Sequence, residues 1–300
     1  MKYTLGITTY KRVDALEKLI TQVVFSDLLS SLFDVLIVND SGEQKISDSY
    51  DAMLKKYKEY NVKIEIHHNK HNLGLPLAFT ELVKHVENPY FFFMADDDLI
   101  LPDELESIIG FIDKKQPSLL TARWLYKDKR IGRGIYKTRK AEVSEFRLSS
   151  GHFSGIFFNT TQMKEAIPFV VKEIINRNAA VLTYPAVFYH IPIILKYNNS
   201  WWYDADIVIE GDALASTVKD HSGNSYSDKS SRFQQIAGFD SYILSFEPTK
   251  NRDLVLTESR AWSIMKAVSG GNQRLKKRIL QLLKPSIWHR IRRKIIRLTN

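Results

Sequence analysis

The stretch FFFMADDDLI, residues 91 to 100, places three consecutive aspartates directly after five apolar residues. Carboxylates that lie so close repel one another, and ionised side chains are rarely buried without a partner. Asp96, Asp97 and Asp98 therefore either occupy a solvated turn or share a bound cation. The apolar residues before them are typical of a buried parallel strand, so we expect the triplet at the end of such a strand.

The segments before the triplet repeat an alternation of strand and helix. Short apolar segments alternate with segments whose apolar residues recur at helical spacing. The predicted strands are residues 3–8, 33–40, 62–68 and 90–95, and the predicted helices are residues 13–25, 47–60, 75–86 and 101–112. This alternation predicts an α/β fold with a parallel, doubly wound sheet. Ligands of such sheets bind at the carboxyl ends of the strands. Here those ends carry Thr8 to Tyr10, Asn39 to Ser41 and the three aspartates.

Beyond about residue 115 the alternation weakens. Further strands are expected at residues 118–126, 134–138, 201–212 and after the segment SGHFSG, and helices within residues 170–197 and 233–268, with a polar loop at 219–232. The predicted organisation is a domain of residues 1–215, a loop and helical extension of residues 216–270, and a basic tail of residues 271–300.

The composition excludes several classes of protein. Of the 300 residues 44% are hydrophobic, which is enough for a large core and too many for a disordered chain. The chain has no cysteine, which excludes disulfides, thiolate zinc sites and cysteine nucleophiles and fits a reducing cytosol. The sequence has no apolar stretch of signal-peptide type, and no run of about 18 apolar residues predicts a membrane-spanning helix.

The net charge of +9 belongs to the C-terminal tail. Residues 271–300 hold ten Lys or Arg and no acid, whereas the other 270 residues carry 33 bases and 34 acids. A neutral body argues against nucleic acid as the partner of the whole protein. A tail helix would align Ile287, Trp288, Ile291, Ile295 and Leu298 beside a basic face. This pattern predicts contact with an anionic membrane surface through residues 272–300; a helix packed on the body and a dimer contact are the alternatives.

Four segments resemble a known family. LGITTYKR, VLIVNDSG, HNLGLPLA and FFFMADDD occur in the order found in family 2 glycosyltransferases with the GT-A fold. Within that family the chain is similar to bacterial enzymes of O-antigen and capsular polysaccharide synthesis, including the abequosyltransferase-like group. The resemblance covers residues 2–112. It implies a Rossmann-like, mostly parallel central sheet, followed here by a C-terminal helical region.

The resemblance also implies an activity. The enzyme would transfer a sugar from a nucleotide-diphosphate donor, expected to be a UDP-sugar, to a hydroxyl of a lipid-linked glycan. It would do so with inversion, as a cytoplasmic protein on the inner face of the cell membrane. The sequence leaves the donor sugar, the linkage and the oligomeric state open.

The same resemblance assigns residues. The nucleotide would contact Thr8, Tyr10, Arg12, Asp40, Asn72, Gly74, Asp96 and Asp97. Tyr10 and Asp40 would lie near the base, Asn72 and Gly74 near the ribose and diphosphate, and Asp96 near the ribose. Asp98 would bind Mn²⁺ or Mg²⁺, with Asp97 as a possible second ligand, since both metals prefer carboxylate oxygens. The family often has an Arg shortly after the Gly, and LPLAFT has none, so the charge of the diphosphate must be neutralised elsewhere.

The attacking hydroxyl needs a general base, and the sequence is less specific there. Relatives carry an acid about 30 residues after the SG segment, where this chain has LTYPAVFY. The candidates for the base are therefore Asp204, Asp206, Glu210, Asp212 and His152.

Two other functions compete with sugar transfer. A nucleotidyltransferase making sugar nucleotides would have a Gly-rich basic loop after the first strand, and TTYKRVD does not supply one. A non-enzymatic nucleic-acid binder working through residues 271–300 would leave the polar strand ends unexplained.

Overall fold

The computed structural model describes residues 2–145, 153–183, 185–211 and 229–269. The strands are β1 Tyr3–Thr9, β2 Phe33–Asn39, β3 Ile64–His68, β4 Tyr90–Ala95, β5 Leu99–Ile100, β6 Leu119–Leu125, β7 Ile131–Arg133, β8 Arg139–Lys140, β9 Ile156–Asn159 and β10 Ser200–Ile209. The helices are α1 Val13–Val24, α2 Asp27–Leu32, α3 Gln44–Lys55, α4 Leu75–His85, α5 Leu105–Lys115, α6 Thr160–Ile175, α7 Ala179–Thr183, α8 Pro185–Lys196, α9 Lys229–Leu244 and α10 Lys250–Ser269.

The described strands form one sheet in the order β3-β2-β1-β4-β9-β6-β10-β5, with β7 paired to β6 and β8 to β10. β1, β2, β3 and β4 are mutually parallel, and β10 is parallel to β6. β9 lies between β4 and β6 and is antiparallel to both. The parallel strands therefore end at one edge, which gathers the polar strand ends. The predicted α/β fold with a mostly parallel sheet is confirmed.

α1 and α4 each carry an apolar stripe that is buried in the first unit. In α1 the stripe is Leu16, Leu19, Ile20 and Val23, all fully buried. α4 begins with Pro76 in its first turn, where the missing N–H costs no hydrogen bond. It packs so close to β1 that a Cβ on Gly6 would lie 2.9 Å from Leu82.

Aromatic side chains fill the layer around β4 and β9. Phe92 stacks on Phe157 with ring centroids 4.4 Å apart, and Phe91 stacks on Phe158 at 5.1 Å. These residues lie opposite one another in the antiparallel β4–β9 ladder. The pairs lock β9 beside β4, which fixes the position of the triplet that follows β4.

Some element boundaries differ from the sequence expectation. Residues 134–138 are not a strand; the short strands β7 and β8 lie on either side of them. A two-residue strand, β5, follows the triplet and pairs antiparallel with the end of β10. α5 begins at Leu105, three residues after Pro102.

The chain divides into two compact units, Met1–Val218 and Lys219–Asn300. In the second unit, α9 and α10 pack together through buried Phe239, Tyr242 and Val255. The expected boundaries near residues 215 and 270, and the tail of residues 271–300, lie outside the described residues and stay predictions. Among the described helices, none is long and apolar enough to cross a membrane.

Candidate active site

Asp96 follows β4 and is held by its neighbours at the sheet edge. Only 4% of the residue is exposed. Its Oδ2 accepts a hydrogen bond of 2.6 Å from Thr9 Oγ1 at the end of β1, and its Oδ1 lies 3.1 Å from Nη1 of Arg12. Burial raises the pKa of the Asp96 carboxyl to about 6, although the Thr9 and Arg12 contacts oppose the rise.

Arg12 bridges two members of the triplet. Its Nη1 donates to Asp96 and, over 2.6 Å, to Oδ2 of Asp97. Its backbone N–H donates to the Tyr50 hydroxyl, which also lies 2.7 Å from Thr9 Oγ1. Because β1, α3 and the triplet meet in this network, the guanidinium is held as a counter-charge between two carboxylates.

Asp98 faces a different set of partners. Its Oδ2 accepts a 3.1 Å hydrogen bond from Nε1 of Trp124 on β6, and Oδ1 lies 3.4 Å from the backbone N of Gly211. The Ser154 side chain also favours the charged form of this carboxylate. Burial raises the Asp98 pKa, and these hydrogen bonds oppose the rise because they favour the charged form.

Gly211 brings the end of β10 against the triplet. A Cβ at this position would lie 1.7 Å from the carbonyl oxygen of Asp97, a distance no side chain can occupy. Residue 211 must therefore be glycine for the two segments to approach this closely. The β5–β10 pairing immediately beside it aligns the segments.

Asp40 organises the loop that carries Asn72 and Gly74. Its Oδ1 accepts hydrogen bonds from Asn69 Nδ2 at 2.8 Å and Leu73 N at 2.9 Å, and its Oδ2 accepts one from Gly74 N at 2.8 Å. Three of its roughly four acceptor positions are thus used within the protein. Asn72 Oδ1 also accepts from Gly74 N, at 2.8 Å.

Two of the expected pocket residues lie at the rim. Tyr10 is 45% exposed, and Lys11 Nζ lies 5.2 Å from the centre of its ring. Thr8 is half-buried, and it is the neighbouring Thr9 that contacts the triplet. Side chains alternate along a strand, so Thr8 and Thr9 face opposite sides of the sheet.

The candidate bases are separated in the structure. Asp204 and Asp206 both form ion pairs with Arg123 on the adjacent strand β6. Glu210 precedes Gly211, and its Oε2 accepts from the backbone N–H of Lys127 at 3.4 Å. His152 and Asp212 lie outside the described residues.

The model of the family described as "Glycosyl transferase family 2" matches residues 4–172, which is more than half of the chain. The chain belongs to glycosyl transferase family 2. No curated protein matches it.

Solved glycosyltransferases share the fold of this family 2 member. S. aureus TarS 1–349 in complex with UDP has a TM-score of 0.63 at 14% identity, covering 92% of this chain and 82% of that one. The TarS complex with UDP-GlcNAc has a TM-score of 0.58 at 14% identity, with 92% and 83% covered. The mannosyltransferase PcManGT from Pyrobaculum calidifontis, in complex with GDP-Man and Mn²⁺, has a TM-score of 0.55 at 8% identity, with 90% and 73% covered.

Family membership confirms that the protein is a glycosyltransferase with a GT-A fold. It therefore displaces the two competing interpretations, a nucleotidyltransferase and a non-enzymatic nucleic-acid binder. The family match extends from β1 into α6 and includes every residue of the triplet network around Asp96.

The residues of this family 2 site fit a divalent cation of the Mg²⁺ or Mn²⁺ kind. Asp96, Asp97 and Asp98 follow one another directly after β4, and such cations prefer carboxylate oxygens. No group of three or more metal-binding side chains is preassembled among the described residues. A site of this kind would bind the cation through one or two carboxylates together with the donor's phosphates.

Sequence reasoning missed several residues of the site. Thr9, Tyr50, Trp124, Ser154 and Gly211 all support the aspartates. Thr9 could have been found from strand alternation, since it shares a face with buried Leu5 and Ile7. The others come from distant segments whose approach no local pattern reveals.

Proposed function

We propose that this family 2 enzyme transfers a sugar from a UDP-sugar to a hydroxyl of a lipid-linked glycan, with inversion and with Mn²⁺ or Mg²⁺ bound. The acceptor would belong to bacterial surface polysaccharide synthesis, and the subgroup would be the abequosyltransferase-like one. The observation that carries the proposal is the run of three aspartates after β4, in which Asp96 and Asp97 bind Arg12 and Asp98 binds the indole of Trp124. UDP and UDP-GlcNAc in TarS support the choice of donor class.

In the proposal, each polar group has a distinct task. Asp98, with Asp97, would hold the cation, and Asp96 would hold the ribose. When bound, the cation neutralises the charge that develops on the departing diphosphate. Arg12 lies among the same carboxylates and would supply the positive charge that the LPLAFT segment lacks.

The nucleotide pocket would be completed by the loop that Asp40 organises. Asn72 and Gly74 would face the ribose and diphosphate, and Thr8 and Tyr10 the base. Asp40 has part of one carboxylate oxygen left to accept from the base, because its other acceptor positions are used by the loop.

The general base is proposed to come from the segment around Gly211, which lies against the triplet. Asp212 and Glu210 flank that glycine, whereas Asp204 and Asp206 are paired with Arg123. Asp212→Asn should then keep UDP affinity and lose transfer. An unchanged transfer rate would exclude Asp212 and leave Glu210, Asp204, Asp206 and His152 as candidates.

We also propose that the protein is cytoplasmic and binds the inner membrane face through residues 272–300. The ten basic residues of the tail support this, at about 1 kcal/mol each near an anionic surface. A membrane-bound position would bring the site to an acceptor carried on lipid.

The experiment is a panel of UDP- and GDP-sugars tested for hydrolysis and binding with and without Mn²⁺. Asp98→Ala should abolish metal-dependent binding and hydrolysis while leaving the protein folded. Asp103→Ala is the matched control, because Asp103 is exposed five residues further on. Metal-dependent binding that persists in Asp98→Ala would refute the assignment of the site.

A further inference from the structure

The β6–β7 hairpin lies behind Asp98 and contacts it through an indole. Trp124 on β6 is 5% exposed, and its Nε1 donates to Asp98 Oδ2. Trp124 pairs with Arg133 across the antiparallel ladder. A Cβ on Gly132 would lie 2.4 Å from two carbons of the indole ring. The ring can therefore occupy its position only because residue 132 has no side chain.

Arg133 ties this hairpin to the segment that also touches Asp98. The residue is 4% exposed. Its Nη1 donates to Ser154 O at 2.7 Å, and its Nη2 donates to Gly155 O at 2.9 Å and Ala122 O at 3.2 Å. The Ser154 side chain in turn favours the charged form of Asp98. One guanidinium thus bonds both to strand β6 and to the segment that carries Ser154.

The positive charge of Arg133 interacts with the negative charge of Asp98. Burial lowers the pKa of its guanidinium to about 9, and the negative charge of Asp98 opposes that fall. A buried cation bonded to carbonyl groups is costly unless an anion lies nearby. The Asp98 carboxylate is such an anion, so the two charges stabilise one another across the hairpin.

We propose that the β6–β7 hairpin is a positioning device for Asp98. Trp124 and Arg133 hold the carboxylate in one orientation, aimed at the cation that accompanies the donor diphosphate. This inference rests on the proposed metal-dependent function. It assigns positioning roles to Trp124, Gly132 and Arg133, which would act through Asp98 and not as ligands of the metal or the donor.

The decisive variant is Trp124→Phe, which keeps a buried aromatic ring and removes the N–H. The measurement is calorimetric binding of UDP or GDP, whichever the unmodified protein binds, over a series of Mn²⁺ concentrations. The Mn²⁺ concentration for half-maximal binding should rise about ten-fold or more, the usual effect of losing an outer-shell partner. Urea unfolding of the same variant should stay cooperative.

Gly132→Ala tests the same device by sterics alone. Its methyl group must displace the indole, so the Mn²⁺ requirement should rise as in Trp124→Phe. Gly110→Ala is the matched control, since a Cβ there has nothing within 4 Å, and it should bind Mn²⁺ and nucleotide as the unmodified protein does. If Gly132→Ala does not fold, Trp124→Phe decides.

The possible results distinguish the positioning role of the hairpin from the proposed metal-dependent function. An unchanged Mn²⁺ requirement in a folded Trp124→Phe overturns the positioning role and leaves the proposed function standing. If the unmodified protein binds UDP and GDP equally well with and without Mn²⁺, the metal-dependent function is refuted, and this inference with it.

Discussion

Asp40 is expected to stabilise the folded protein, in addition to its proposed contact with the base of the nucleotide. The carboxylate is 4% exposed and accepts hydrogen bonds from Asn69, Leu73 and Gly74. A hydrogen bond to a charged group contributes about 1.5–3 kcal/mol net. The donors sit in a surface loop that water can reach once it loosens. Asp40→Ala should therefore lower the free energy of unfolding by about 3–5 kcal/mol, less than the sum of three such bonds.

The assay is urea unfolding combined with amide hydrogen exchange. In Asp40→Ala the amides of Leu73 and Gly74 should lose protection, because both donate to the carboxylate. The free energy of unfolding of Asp40→Asn should lie between those of the unmodified protein and Asp40→Ala. Its amide oxygen can still accept a hydrogen bond, but its NH₂ group faces an N–H donor of the loop and cannot bond to it. Asp103→Asn, an exposed acid, is the control and should change stability by less than about 0.5 kcal/mol.

Asp40 has no stabilising role if Asp40→Ala unfolds at the same urea concentration as the unmodified protein. The same conclusion holds if the two loop amides stay protected while nucleotide binding is lost. In that case Asp40 would act on the base alone, and the hydrogen bonds to the loop would contribute little.

Two further predictions concern charge. In chelator-treated protein the Asp96 pKa of about 6 exceeds its unfolded value of 3.8, so the native state binds more protons between these values. Its contribution to stability is complete below pH 3.8 and is lost as the pH rises through 6, by about 3 kcal/mol. Urea unfolding from pH 4 to 7 should show this loss in the unmodified protein but not in Asp96→Asn; parallel profiles would contradict it. Deleting residues 272–300 should abolish salt-sensitive binding to anionic liposomes and spare donor hydrolysis, and liposome binding that persists would remove the tail's role.

The first half of the fold could be predicted because its signals are local. β1, β2 and β4 are short apolar runs, β3 alternates apolar and polar residues, and α1 and α4 carry apolar stripes. Parallel strands then bring their carboxyl ends to one edge, which is why Asp40 and the triplet were expected together. The family match over residues 4–172 confirms the glycosyltransferase family that the strand-end motifs predicted.

The second half depends on contacts that sequence spacing does not encode. β9 enters between β4 and β6 through pairing such as Phe91 with Phe158, 67 residues apart. The pairing of Arg123 with Asp206 follows from the register of β6 against β10, and that register includes bulges. The glycines that flank Arg133 were a usable signal, since Gly-Arg-Gly in a short strand indicates close backbone packing.

Arg12 gives the resting enzyme a counter-ion of its own. Under the proposed function, a divalent ion that arrives with the donor would compete with this guanidinium for the oxygens of Asp96 and Asp97. Binding of the ion would then free Arg12 for the incoming phosphates. The measured metal affinity would be the difference between two cations, so shortening the side chain at position 12 would change it although residue 12 is not itself a metal ligand.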